Sequence, residues 1–341
     1  MIGIRDLARH LDISIGTVSR ALNGKADVNP ETRRRVVEAA AKLGYSPNQS
    51  GRSLRKGSTG LIGVLIPSDP QQTLIDMVFV AVLDGLRRYL SDHDLDLAIF
   101  LYSNEEDPFG AFKRVVERQV VDALVVSQTR TQDQRIDYLI THRIPFAAFG
   151  RSQSGRDHAW VDMDFEGSVD QAIERFAKGG HRRIGVVMAR RDFNYNRVIS
   201  DQFRRSIEKN GIDFRPDYVV QLESGEDGGY SGMGRLLALA DPPTAVIAAD
   251  RMLAIGIYKR LAEADVTIGR DLAVIGLNCN AQARFLTPVL SYFESDLTFV
   301  GAELGRALLK TLGQNESGSE GDGPVQSLVP AVFIQGQSDR R

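Results

Sequence analysis

Residues 13–24 read ISIGTVSRALNG. Ser14, Thr17, Ser19 and Asn23 place short hydroxyl and amide groups close together, and Arg20 adds a planar fork of donors. Short polar side chains of this kind suit phosphate oxygens, which fix the register of a protein on a duplex without reading its sequence. A guanidinium matches the O6 and N7 acceptors that guanine shows in the major groove. Apolar residues fall only at Ile13, Ile15, Val18, Ala21 and Leu22. That stripe is just wide enough to seat a short helix and leaves its other faces free. Ser and Thr also decorate ordinary capped surface helices, so this stretch does not carry the reading unaided.

Other chemistry is sparse. The single cysteine, Cys279, excludes an internal disulfide and fits a reducing compartment; beside an apolar strand it reads as a small filler. His10, His93, His142, His158 and His181 are scattered without metal-ligand spacing. No Ser/His/Asp set occurs in motif form. GGYSGMG at 228–234 is glycine-dense, but it is neither G-x-G-x-x-G nor followed by G-K-[ST], and it reads as a loop leading into a helix. The expectation is therefore a binding protein with no catalytic residues, metal or cofactor.

The elements that would position these groups follow from periodicity. Ile4, Leu7, Ala8 and Leu11 recur at helical spacing, and the chain breaks at Asp12 and Ile13. Ser14 caps a second helix with Val18, Ala21 and Leu22 buried. Asn29 caps a third that starts at Pro30, buries Val36, Val37, Ala40 and Leu43, and stops at Gly44. Three such helices make a small helix-turn-helix bundle. Residues 1–58 carry a net charge of +6 and the remainder −8, a basic head on an acidic body, which points the head at a polyanion. The stretch 45–60, YSPNQSGRSLRKGSTG, reads as a basic linker with one isolated apolar residue, Leu54.

From Leu61 short apolar runs alternate with helical periodicity: LIGVLI, LDLAIFL, DALVVS and IPFAAF, then AWVDM, RIGVVM, YVVQL, TAVIAA and LAVIGL. This is β-α-β texture, and two such sets imply two doubly wound parallel sheets with a cleft at the carboxyl ends of their strands. Residues 313–325 read as a surface loop before a last strand, LVPAVFIQG. The start, MIGIRDLARH, lacks the apolar core of a signal peptide, so a cytoplasmic protein is expected.

The series from Ile4 to Asn23, then VNPETRRRV from Val28, then LGYSPN ending at Asn48, closely resembles the lactose/galactose repressor family of bacterial transcription regulators. The resemblance continues through IGVLIPS, RRIGVV, DRMLAIG and LAVIG. It implies a helix-turn-helix head at 1–45 and a hinge helix or linker at 46–60. It also implies an amino-terminal lobe at 61–160 and 295–325, and a carboxy-terminal lobe at 161–294 and 326–341. The body would be a two-lobed fold of the periplasmic binding-protein type. By resemblance, Ser14, Thr17, Ser19, Asn23, Tyr45 and Asn48 contact DNA, Arg20 faces a base edge, and Ile15 and Gly16 occupy the specificity positions. Asp12 stands where glycine is usual in the turn, and Asp tolerates a left-handed backbone better than most residues. Leu54 would wedge into the minor groove and bend the duplex, on a hinge that Gly51 makes costlier to order by roughly 0.5–1 kcal/mol relative to Ala.

Effector contacts carried over in the same way are Gln71, Thr73, Leu74, Arg151, Asp162, Asn194, Arg197, Asp250, Asn278 and Ser295. Several depart from the family pattern, with Ile199 where an arginine is usual and Gln202-Phe203 where a Gly-aromatic pair is usual. The resemblance implies an operator-binding homodimer, acting as a repressor and controlled by a small molecule, a sugar, between the lobes. A periplasmic-type sugar-binding protein shares the two-lobed fold but has no basic head.

Overall fold

A computed structural model describes residues 2–22, 25, 27–45, 58–68, 77–103, 107–155, 157–190, 192–313 and 323–340. The chain divides into two compact units, residues 1–61 with 120–122, and the rest.

In the first unit three helices, α1 (Ile4–Leu11), α2 (Ile15–Leu22) and α3 (Pro30–Lys42), close on Leu7, Ala8, Val18, Ala21, Val28, Val36, Ala39 and Ala40. Asp12 ends α1 at φ 54, the left-handed conformation expected of it. Ser14 Oγ accepts from Thr17 N at 3.0 Å and caps α2. Asn29 accepts from Glu31 N at 2.8 Å and caps α3 ahead of Pro30. One position departs from the expected stripe. Val37 is 52% exposed and Ala39 is buried in its stead, because the inward arc of a 3.6-residue helix through Val36 and Ala40 includes 39 and leaves 37 on its outer edge.

The second unit holds two six-stranded sheets. β1 (Leu61–Ser68), β2 (Asp96–Ser103), β3 (Ala123–Val126), β4 (Phe146–Phe149), β5 (Ala159–Met163) and β11 (Gln326–Val329) form the first, in the order β11-β5-β4-β3-β1-β2. β6 (Ile184–Ala189), β7 (Val219–Leu222), β8 (Ala245–Ala248), β9 (Ala273–Gly276), β10 (Ser291–Ser295) and β12 (Ala331–Ile334) form the second, in the order β12-β10-β9-β8-β6-β7. β12 runs antiparallel to β10, whereas β6, β7, β8, β9 and β10 pair in parallel. Helices α4 (Met77–Ser91) and α11 (Leu297–Thr311) pack on the first sheet; α7 (Phe165–Lys178), α8 (Asn194–Lys209), α9 (Glu226–Leu237) and α10 (Arg251–Glu263) belong to the second lobe. α5 (Pro108–Glu117) and α6 (Gln134–Thr141) complete the first lobe.

The expected lobe boundaries shift at three points. β5 runs to Met163 within the first sheet, and residues 326–329 also join that sheet, pairing with β5 from Gln326 opposite Trp160. β10, a strand that the apolar runs did not single out, keeps residues up to Ser295 in the second. The single final strand expected from LVPAVFIQG is cut at Pro330. Proline has no N–H to give a ladder, so the chain leaves one sheet there and enters the other. Residues 228–234 are also not a loop: the whole stretch lies inside α9. Its glycines are a packing surface, since a Cβ at Gly229 would sit 2.0 Å from the Leu253 carbonyl oxygen and one at Gly256 1.8 Å from that of Glu226. α9 and α10 therefore approach backbone to backbone.

Candidate functional site

Two groups of side chains stand out, one in each unit. In the head, the cap leaves Ser14 exposed with its hydroxyl 2.9 Å from that of Thr17. Val18 and Ala21 seat α2 on the core, so Ile15, Gly16 and Arg20 fall on its exposed side, with Thr17 and Ser19 half-buried at the flank. Ile15 is 39% exposed. The Arg20 guanidinium lies 3.6 Å from Asp27, both well exposed. Such a pair is worth at most about 1 kcal/mol, so Arg20 leaves it at small cost. Tyr45 packs half-buried against the head core. Asn23, Asn48 and Leu54 lie outside the described residues.

In the body, Arg151, Asp162, Asp250, Asn278 and Ser295 stand at carboxyl ends of strands, where open α/β sheets bind ligands. Arg151, just past β4, donates from Nε to Asp162 Oδ2 at 2.8 Å and from both terminal nitrogens to Glu166, at 2.8 and 2.7 Å. Asp162 is on β5 and Glu166 in the first turn of α7, so one guanidinium ties the first sheet to a helix of the second lobe. Burial outweighs the guanidinium at Asp162 and holds its carboxyl above the usual range. At Glu166 burial works the same way, but the bidentate hydrogen bonds to Arg151 prevail and hold it below. The opposite signs follow from exposure: the Asp162 side chain is 4% exposed, that of Glu166 27%.

Asn194 opens α8 and is buried. Its backbone N–H donates to Thr129 O at 2.8 Å, across from one lobe to the other, and the Thr129 hydroxyl donates to Arg151 O at 2.9 Å. Arg197 donates to Asn194 Oδ1 at 3.2 Å and to Asp201 at 2.9 Å. Arg151, Asp162, Asn194 and Arg197 are thus brought into one bonded set. Neither Glu166 nor Thr129 was singled out in the sequence. An acidic residue in the first turn of the helix that follows the Asp162 strand was the available signal for the first; Thr129 gave none, because its role depends on a contact between distant segments.

A second set lies on the other lobe. Asp250 caps α10, accepting from Leu253 N at 2.9 Å; Asn278 follows β9 with φ 43; Ser295 ends β10 opposite Ala331. Between them Cys279 is buried, its thiol bonded to Leu277 O at 3.2 Å. Burial first, and the nearby Asp250 carboxylate second, push that thiol far above its ordinary pKa, so it stays protonated and fills space. Gln71, Thr73 and Leu74 lie outside the described residues. Among the described residues no His, Cys, Asp and Glu cluster with metal-binding geometry occurs, and no helix is long and apolar enough to cross a membrane.

A helix-turn-helix head and a two-lobed body with polar groups at its strand ends define a ligand-responsive DNA-binding regulator. Residues 3–48 match the model of bacterial regulatory proteins of the lacI family, and 173–338 that of the periplasmic binding protein-like domain. The HTH-type transcriptional regulator AglR of Rhizobium meliloti is 31% identical over 98% of this chain and 93% of its own length. RafR of Escherichia coli, also an HTH-type transcriptional regulator, is 32% identical over 72% of each. A lac repressor dimer bound to operator and the anti-inducer ONPF superposes with a TM-score of 0.85, covering 100% of this chain and 99% of that one at 18% identity, a likeness of fold. The chain belongs to the lacI family and is a transcriptional regulator of that type.

Proposed function

We propose that this protein is a cytoplasmic, homodimeric repressor that grips a pseudo-palindromic operator through two copies of α2 and is controlled by an uncharged saccharide held between its lobes. Paired recognition helices enter successive major grooves about one helical turn apart. Arg20 reads guanine, and Ile15 meets an apolar base edge such as a thymine methyl, since Gly16 beside it has no side chain to read with. Ser14, Thr17, Ser19, Asn23, Tyr45 and Asn48 hold the backbone, and Leu54 opens the minor groove between the half-sites. The observation that carries this reading is the exposed row Ile15, Gly16 and Arg20 on a helix whose other side is fixed by Val18 and Ala21.

Charge supports the ligand class. Arg151 is matched by two carboxylates and Arg197 by one, so the strand-end set offers hydrogen bonds but no uncompensated cation for an acidic ligand to neutralise. A structure of similar fold, the transcriptional regulator CelR, was solved as a cellobiose complex. A ligand changes DNA affinity only by preferring one lobe arrangement over another, and the Asn194–Thr129 and Arg151–Glu166 bonds are the joints that such a preference would load.

The test begins with in vitro selection of duplexes from a random library by the full chain, expected to return a two-fold symmetric consensus. Arg20→Ala should then weaken binding to that duplex by about 1–3 kcal/mol while leaving scrambled duplex nearly unchanged. Equal losses on both would remove base reading from Arg20.

A further inference from the structure

A cavity of about 410 Å³ opens on the first lobe, lined by Gln132, Arg151, Ser152, Gln153, Trp160 and Gln326. Only Arg151 belongs to the strand-end set. Trp160 on β5 and Gln326 on β11 are register partners in a parallel pair, so their side chains share one face of the sheet. The opposite face, carrying Ala159 and Val161, is buried in the lobe core. Two residues beyond Gln326 on the same face as the cavity, Leu328 is 42% exposed whereas its register partner Asp162 is buried, so this face is open along its edge strand.

The lining has the chemistry of sugar recognition. A half-buried indole offers a flat apolar platform with one N–H donor. Three primary amides stand around it, and each has both a donor and an acceptor group, which matches hydroxyls that both donate and accept. Gln326 is oriented by its Nε2, which donates to His158 O at 3.2 Å, while Gln132 and Gln153 are exposed at the rim. Ser152 is anchored through its hydroxyl to Thr131 O at 3.2 Å. The one charged lining group, Arg151, lies 5.8 Å from the Trp160 ring centroid with its charge already met by Asp162 and Glu166. An anion would find no uncompensated cation here, and a purely apolar ligand would strand the amides. The volume lies within the range of small-molecule sites.

We infer that this cavity is a second saccharide site, in which the apolar face of a neutral pyranose stacks on Trp160 and its hydroxyls bond to Gln132, Gln153 and Gln326. It rests on the reading of the chain as a saccharide-responsive regulator. Because Arg151 borders the cavity and also ties β5 to α7, an occupant here bears on the same joint that the strand-end set controls.

Trp160 is the single tryptophan of the chain, so tryptophan emission originates in the wall of this cavity. The full-length protein is titrated with glucose, galactose, cellobiose, lactose and melibiose, following emission and melting temperature in parallel. The expected result is a saturable emission change with one of these sugars, weakened about tenfold or more by Gln153→Ala with Gln326→Ala. Both are exposed side chains, and the double variant should keep its unliganded melting temperature. A sugar that raises the melting temperature while Trp160 emission stays flat overturns the cavity and leaves the saccharide reading intact. An emission change of unaltered affinity in the double variant also overturns it, because the signal then arrives from binding elsewhere. Silence in both readouts across the panel overturns the cavity and the saccharide reading together. Emission that responds and weakens in the double variant, with operator affinity unmoved by the sugar, upholds the cavity and refutes control through it.

Discussion

Replacing Arg151 with Met keeps the length and apolar stem of the side chain and removes only its charge and donors. Asp162, 4% exposed, then loses its closest cation. Removing one partner of a buried ion pair costs about 3–5 kcal/mol, because the other charge stays buried. The structure argues for the lower end. Asp162 keeps backbone donors from Arg151 N at 3.3 Å and Met163 N at 2.9 Å, and Glu166, 27% exposed, turns part of its charge to water. A loss of about 3 kcal/mol near pH 8 is therefore expected.

The loss should depend on pH in one direction. The folded-state pKa of Asp162 is already raised by burial, and losing Arg151 raises it further. A carboxyl raised on folding contributes stability below its unfolded pKa and forfeits it as pH rises through the folded value. Glu166, now held low by Arg151, loses the advantage that it contributes above its unfolded pKa. The Asp162 effect makes the deficit largest near neutral and alkaline pH and smaller toward about pH 5, whereas the Glu166 effect fades only below its unfolded pKa, near about pH 4. Urea unfolding followed by Trp160 emission measures it, provided that the slope of the transition is unchanged. Asp162→Asn added to Arg151→Met should recover part of the loss. A deficit below about 1 kcal/mol, or one that does not change between about pH 5 and pH 8, would falsify the buried-charge reasoning.

Ser14→Ala removes the acceptor for Thr17 N at the start of α2 and should cost the head about 0.5–2 kcal/mol, read from the loss of its helical circular dichroism on heating. Gly256→Ala sets a methyl against the Glu226 carbonyl; the helices must part, and stability from urea unfolding should fall by roughly 1–3 kcal/mol, whereas Gly323→Ala, whose added Cβ meets nothing within 4 Å, should disturb packing far less. Log operator affinity should fall steeply with log salt, as several phosphate contacts require; a flat response would remove the phosphate roles given to Thr17 and Ser19.

Much of this protein was written in local rules. Capping and periodicity place the three head helices within a residue or two, because Ser14, Asn29 and Pro30 act on their own neighbours. Most strands of both sheets were legible as apolar runs, because strands buried on two faces cannot alternate, but β10 was not among them. Asp12 in the left-handed region followed from the family resemblance, which puts a glycine at that turn, and from the tolerance of Asp. The head motif was specific enough to name a family from residue types and spacing alone.

Tertiary structure decided what depends on partners far away in the chain. Glycine density at 228–234 reads as a loop until α10 is seen lying against it; a helix tolerates glycine where a neighbouring backbone takes the space of the missing side chain. Pro330 marks a break, but only the two sheets show that the break is a crossing between lobes. Arg151 was visible as a polar group at a strand end. Its match by Asp162 and Glu166, and its place beside Trp160, arise because β4, β5 and α7 converge there, and the balance of burial against charge is set by that convergence and not by any one segment.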